Sequence, residues 1–508
     1  MAIMTKTAYR EDGAEQPAIK AGMFRIRLPF IHAPWEIPEM IQAIVVFVTG
    51  VAATAYLQDI FGLPFEMALA IVTVHEFLYC VQNIVGDPIV GGWITPALPL
   101  VTVWLLSFEN YTERIQALVM LQLILGILYV ILGVTGLAAK LVNKVPVSVK
   151  AGILVGAGFS AVIGKYGFMA AENGGLGFYN SPICFSVGVL AALFLLFSVG
   201  FTRKKGTTNN GFIKFLAKCG FVPALLLAYV VGVLPFVHEI SLPAFGEIGA
   251  SIAQNGVGGI IFNPFPHLLQ AVKTFSLIGV GFPGWNVIGK AAVMAVVAYI
   301  ISFGDIVTGS EFLEDTKKYR KDEHLEVNPN LTNICCGVRN ILQSLFFPTC
   351  TLSGPLWSAM MVTICERYKT GKENMYSFFG GCITFNVSKW LCCLILPLVV
   401  LIKPILPLSM SLTLIIQAFG CFYVALGLCK NSTQRGVAGL MGGVLAITNP
   451  HTGLIVGIIV SFVCEWLLRG GKKEQEALAA EEAEQAEETE EALTALLPTE
   501  PPQESSEA

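Results

Sequence analysis

Charge is what this chain has least of. Lys, Arg, Asp and Glu make up only 13% of its 508 residues, beside 54% hydrophobic residues and a mean hydropathy of +0.68; a soluble domain carries about a quarter charged residues. The deficit excludes an ordinary soluble globular protein and leaves no basic surface for nucleic acid, so a polytopic membrane protein in a lipid bilayer is expected. Histidine is scarce too, with six copies. Neither His238 nor His267 stands in a nucleophile pattern, and no ligand-spaced His/Cys cluster occurs, so neither an enzyme nor a metal or other cofactor site is expected. A Gly-rich phosphate loop followed by Lys is missing, which argues against an ATP-driven pump. The thirteen cysteines, such as Cys335, Cys336, Cys392 and Cys393, lie mostly within apolar segments and read as small packing residues. Met1 to Arg27 lacks the basic, apolar and small-residue order of a cleavable signal, so the first membrane helix is expected to stay in the protein.

What the chain does have is two helix-breaking stretches inside apolar segments: Gly86 to Pro96 (GDPIVGGWITP) and Phe347 to Pro355 (FPTCTLSGP). Irregular backbone at membrane depth is tolerated only where it is buried in protein or lines a cavity, and paired interruptions point to a transport site. The reading is an all-α polytopic membrane protein with fourteen transmembrane segments. These cover residues 38–57, 64–85, 87–106 (broken), 115–139, 147–163, 182–201, 211–237, 287–312, 332–347, 350–366 (broken), 376–402, 407–429, 436–448 and 453–468. The last two are also short enough for a re-entrant pair. Residues 1–33 form a cytoplasmic N-terminal segment, 34–237 a first seven-helix repeat, 238–285 an external loop with interfacial helices, and 286–470 a second repeat. Residues 471–508, with twelve glutamates after Gly471, are an acidic, mostly disordered cytoplasmic tail with no soluble regulatory domain.

Basic residues fix the orientation. With the N-terminus inside, 25 of the 32 Lys and Arg fall in cytoplasmic segments, including Lys140, Lys144, Arg203 to Lys205, Lys317 to Lys321, Arg367 and Lys369. Both termini are therefore placed in the cytoplasm, in what is expected to be a bacterial inner membrane. Val145-Pro-Val-Ser148 precedes the fifth span and Leu406-Pro-Leu-Ser409 the twelfth, an offset close to that of the two breaks. A shift of seven spans is odd, so the halves would insert with opposite orientation as inverted repeats. If spans three and ten begin extended and turn helical halfway, at Trp93 to Thr95 and at Leu352 to Gly354, two helix N-termini converge on one pocket suited to an anion or a carbonyl-rich solute. The hydroxyls of Thr95, Thr351 and Ser353 then serve as ligand contacts or as helix N-caps.

The stretch from Ile301 to Gly371, with Gly304-Asp305, the Phe347 to Leu356 break and Tyr368 to Gly371 (YKTG), resembles the sulfate-permease family of anion transporters. More distantly it resembles nucleobase–cation symporters such as the uracil permease. The resemblance implies two inverted halves of seven, a core domain of spans one to four and eight to eleven, a gate domain of the rest, and substrate between the facing ends of spans three and ten. It implies substrate contacts from Trp93, Ile94, Thr95, Cys350, Thr351, Ser353, Gly354 and Asp305, and often a homodimer. The sequence departs from both patterns. Gly354 stands where sulfate permeases carry arginine, and no carboxylate lies between Phe347 and Cys365 to read a nucleobase.

Ionisable groups at membrane depth are costly and mark candidate functional positions. Asp305 matches the acidic position that contacts substrate or coupling cation in these families; with Glu311 it is the ion-coupling candidate, for H⁺ or Na⁺. Lys389 is expected to neutralise Asp305 or to draw anions, and Arg339 to replace the missing arginine or to snorkel to the inner surface. His75 and Glu76, about 100° apart on span two, serve a proton relay or a hydrogen-bond link between helices. Together these features imply a secondary active transporter for a small anionic or polar organic solute. A nucleobase–cation symporter and a channel-like anion pathway are the alternatives.

Overall fold

A computed structural model of the chain describes residues 2–467 apart from 139, 141–143, 164–168, 170–177, 179, 202–209, 212, 214–215, 217–220, 244, 258–259 and 449. The acidic tail and the basic run at 203–205 lie outside the described residues. The fold is built from helices: α1 (Ile37–Val51), α2 (Ala53–Phe61), α3 (Phe65–Ile84), α4 (Leu98–Leu106), α5 (Tyr111–Thr135), α6 (Val147–Ile163), α7 (Pro182–Phe197), α8 (Val222–Val233), α9 (Phe245–Asn255), α10 (Phe265–Thr274), α11 (Leu277–Val280), α12 (Trp285–Lys317), α13 (Pro329–Phe346), α14 (Ser358–Lys369), α15 (Phe378–Leu394), α16 (Leu396–Ile402), α17 (Leu406–Leu428), α18 (Ser432–Ile447) and α19 (Pro450–Ser461). Strands are two or three residues long: β1 (Ala2–Ile3), β2 (Ile19–Ala21), β3 (Phe24–Ile26), β4 (Trp35–Glu36), β5 (Gly92–Trp93), β6 (Gly256–Val257), β7 (Ile261–Phe262) and β8 (Ser353–Gly354).

Among the described residues, five helical stretches are long and apolar enough to cross a bilayer: 37–61, 65–84, 111–135, 285–317 and 396–428. A full span needs about 20 residues. Shorter apolar helices occur at 95–106, 147–163, 182–197, 222–233, 378–394 and 452–465. At a rise of about 1.5 Å per residue the 33 residues of α12 extend about 50 Å, beyond the roughly 30 Å hydrocarbon layer. Polar side chains at loop ends start several helices. Asn110 Oδ1 accepts from the amides of Thr112 and Glu113 to open α5, and Asn328 does the same for α13.

Helices from both ends of the chain pack into two groups. In the first, α5 lies along α13 and α12, and α1 and α3 lie against α15. In the second, α6 packs on α17 and α18, and α7 on α8. The groups meet where α2 and α4 touch α17 and α6. The N-terminal segment belongs to the first group. Its β1 pairs with β4, and the amides of Arg25 and Arg27 donate to the last carbonyls of α3, Val85 and Ile84, at 2.9 and 2.7 Å. Arg10 and Arg27 have fully buried side chains, paired with Asp322 and Glu323 and with Glu15 respectively. In the loop after α12, the guanidiniums of Arg320 and Arg10 hold the Asp322 carboxyl below the usual carboxylate range.

Candidate binding site

The two breaks run antiparallel to each other as strands. Gly92 is opposite Gly354 and Trp93 opposite Ser353, and the Ile94 amide donates to the Leu352 carbonyl at 3.0 Å. Extended chain inside an apolar body has unsatisfied N–H and C=O groups, and each break satisfies those of the other. In the first break Gly92 and Trp93 are strand and the helical turn begins at Thr95, within the expected 93–95; the second expected start is corrected, since Leu352 to Gly354 are strand or extended and the helix begins at Ser358. The crossing requires glycine. A Cβ on Gly354 would lie 2.8 Å from the Ile94 amide nitrogen, and one on Gly92 would lie 2.8 Å from the Leu356 carbonyl oxygen.

Side chains from behind fix the strands. Asn340 on α13 donates to the Ser353 carbonyl at 2.7 Å and accepts from the Ser353 amide at 3.2 Å. Arg339 donates to the Gly354 carbonyl at 2.7 Å and lies over the Tyr79 ring, while its Nε and Nη1 have no hydrogen-bond partner among the described residues. It is 3% exposed, so it reaches the break rather than the inner surface. Tyr79 donates to the Gly92 carbonyl at 2.7 Å. His75 bonds Tyr79 through Nε2 at 2.8 Å and Gln343 through Nδ1 at 2.6 Å, which links α3 to α13.

In front of the crossing lies a cavity of about 430 Å³ between the two helix groups. The first group contributes Thr49, Glu76, Trp93, Thr95, Asp305, Trp357, Ser358 and Lys389; the second contributes Phe197, Thr413 and Gln417, with Phe221 at the head of α8. Lys389 Nζ and Glu76 Oε2 form an ion pair at 2.7 Å, with side chains only 2% and 1% exposed. The ammonium also sits 4.6 Å from the Trp357 ring centre and 5.3 Å from that of Tyr79. Lys389 is therefore neutralised by Glu76 and not, as expected from the sequence, by Asp305. No cation lies within ion-pair distance of Asp305 among the described residues.

Of the sequence candidates, Trp93, Thr95 and Asp305 border the cavity, as do Glu76 and Lys389. Ile94, Cys350, Thr351, Ser353 and Gly354 are buried and do not line it. The Thr351 hydroxyl bonds Thr349 at 2.9 Å, and that of Thr95 donates to the Trp93 carbonyl at 3.2 Å, so neither caps a helix. Glu311 is exposed and away from the cavity. The sequence reading passed over Tyr79, Trp357, Ser358 and Gln417. Trp357 could have been noticed two residues after Pro355, and Gln417 as a polar residue mid-way along an apolar helix.

No family model and no curated protein matches the chain. Solved structures do. It is similar to the transmembrane domain of a cyanobacterium bicarbonate transporter, BicA, with TM-score 0.44 and 16% identity over 83% of this chain and 96% of that one. It is similar to murine Solute Carrier 26 family member A9, an anion transporter in the inward-facing state, with TM-score 0.42 and 15% identity over 84% of this chain and 68% of that one. A further SLC26A9 structure gives TM-score 0.46 and 13% identity over 84% of this chain and 65% of that one. The likeness is to anion transporters.

Proposed function

We propose that the chain is a secondary active transporter that holds a small anionic or polar organic solute in the 430 Å³ cavity and moves it by alternating access, coupled to H⁺ or Na⁺. The observation that carries this reading is the antiparallel pairing of the two breaks, Gly92 with Gly354 and Trp93 with Ser353, at the wall of a cavity between two helix groups. Thr95 and Pro96 before α4, and Ser358 and Ala359 at the start of α14, border that cavity, so two helix N-termini face the solute. Their positive dipole ends favour an anion or a carbonyl oxygen; at the α4 end the amides of Ile94, Ala97 and Leu98 already donate to the Leu352, Ile94 and Thr95 carbonyls, and Pro96 and Pro99 have none to offer.

In this reading the chain has fourteen spans in two inverted halves, 34–237 and 286–470, with the external loop 238–285 between them. The first helix group, carrying both breaks, is the core, and the second is the gate. Rocking one against the other would open the cavity to alternate sides. Asp305, lining the cavity with no cationic partner among the described residues, is the candidate for coupling. A transporter of this class is expected to act in the inner membrane with both termini cytoplasmic, and as a homodimer.

A second reading, a nucleobase–cation symporter, is favoured by the aromatic lining. Trp93, Trp357, Phe197 and Phe221 line the cavity with aromatic surface suited to a planar solute. The discriminating experiment is a thermal-shift panel of oxyanions, dicarboxylates and nucleobases on the purified protein. Stabilisation by one class, lost in Trp357→Ala, supports the site; no response to any class would sink it.

A further inference from the structure

We propose that the solute of the 430 Å³ cavity is a zwitterion, an amino carboxylate whose ammonium group is held by Asp305 and whose carboxylate is held by the free amides at the start of α14. The proposal rests on the cavity being the solute site and names the class of solute it takes.

The charged side chains lining the cavity are Glu76, Lys389 and Asp305. The first two neutralise each other and are all but fully buried, so neither is left for a solute. Asp305 is half-buried, and among the described residues its carboxylate accepts no hydrogen bond and meets no cation. The wall therefore carries one uncompensated negative charge, which repels a bare anion. Its hydroxyls act in the same direction. Thr49, Thr95 and Thr413 spend their protons on the carbonyls of Val46, Trp93 and Ser409, at 2.8, 3.2 and 2.7 Å, so their oxygens can only accept from a solute. An ammonium group, with three donors and no acceptor, matches this part of the wall.

The opposite polarity comes from α14, which packs against the helix carrying Asp305. Its first backbone bond runs from the Met361 amide to the Trp357 carbonyl at 2.9 Å, and the amides of Ser358, Ala359 and Met360 bond nothing among the described residues. Trp357 at the cap position supplies no side-chain oxygen, whereas Asn110, Asn328 and Ser377 cap α5, α13 and α15. Ser358 and Ala359 are exposed and line the cavity, so a solute carboxylate takes the place of the missing cap. One carboxylate does not hold the ammonium and a coupling cation at once. Solute and H⁺ or Na⁺ therefore alternate at Asp305, which makes the coupling an exchange.

The test adds glycine, β-alanine, γ-aminobutyrate and L-phenylalanine to the thermal-shift panel as a further class, on the full chain in detergent. One of them is expected to stabilise the parent saturably, while its analogue without the amine and its analogue without the carboxylate each need about tenfold more or higher. Asp305→Asn should raise the half-saturating concentration of the amino carboxylate by a similar factor and leave that of the deaminated analogue unchanged. Ser358→Pro removes one amide at the first helical position, where proline is tolerated, and follows a Trp357 backbone that is already extended. It should weaken the amino carboxylate and not the decarboxylated amine. Raising Na⁺ or lowering the pH should compete with the amino carboxylate in the parent. A deaminated analogue that binds equally well, binding untouched by Asp305→Asn, or binding strengthened by Na⁺ or acid would each overturn the proposal. A response confined to the oxyanions, dicarboxylates or nucleobases overturns the zwitterion and leaves the cavity as the solute site; silence from every class, amino carboxylates included, removes both.

Discussion

Breaking the Lys389–Glu76 pair is the perturbation with the largest consequence that the structure allows to be worked out. At 2.7 Å and an effective dielectric of about 20, the Coulomb attraction is about 6 kcal/mol. Withdrawing both groups from water offsets most of that, so the pair is close to neutral beside two well-packed uncharged side chains. Removing one partner is different, because it leaves the other charge buried: Lys389→Met or Glu76→Gln alone is expected to cost about 3–5 kcal/mol. The double variant should recover most of the loss, which gives a strong coupling in a double-mutant cycle. Unfolding of the parent, both singles and the double is followed in detergent at one pH. Additive losses, or singles as stable as the parent, would falsify the claim that these two groups neutralise each other in the cavity wall.

Gly354→Ala should destabilise the crossing and abolish solute stabilisation, since its Cβ meets backbone at 2.8 Å, whereas Gly443→Ala, with nothing within 4 Å, should be harmless or stabilising by a few tenths of a kcal/mol; thermal shift with and without solute reads both. Arg339→Gln should weaken solute binding more than it lowers stability, because the guanidinium holds the Gly354 carbonyl in the paired strands behind the cavity wall that Gly92 and Trp93 form; a titration of the solute found in the panel checks this. Burial, with repulsion from Glu39, pushes the Glu36 carboxyl up to about 7. The folded state then holds a proton that the unfolded state has lost between about pH 4.5 and 7, so this group's contribution to stability falls as pH rises through that window. Glu36→Gln should flatten that part of the profile, and an unchanged slope would contradict it.

The breaks were legible because Gly and Pro inside apolar segments violate the rule that membrane backbone is helical. That they would meet followed from the expectation that they hold matching places in two inverted halves. Their mutual strand pairing did not, since Gly and Pro break a helix without showing where the freed amides and carbonyls will bond; Pro355 stands between its strand and the helix at Ser358, whereas the turn at Thr95 begins before Pro96. Lys389 was visible as a costly charge at mid-depth, but its partner depends on how α3 and α15 are rotated against each other. Glu76, at similar depth in the second span, was the better match for it than Asp305. Arg10 and Arg27 illustrate the opposite limit. They read as part of the cytoplasmic charge bias, yet their side chains are fully buried against Asp322, Glu323 and Glu15, which no local pattern reveals.

The central claim is that a solute bound in front of the paired breaks is carried by alternating access. The most direct test is uptake into proteoliposomes of the solute identified by thermal shift, with and without an imposed H⁺ or Na⁺ gradient. The account predicts saturable uptake, accelerated exchange against internal solute, and accumulation driven by one of the gradients. Uptake that rises linearly with concentration, shows no counterflow and ignores both gradients would contradict it.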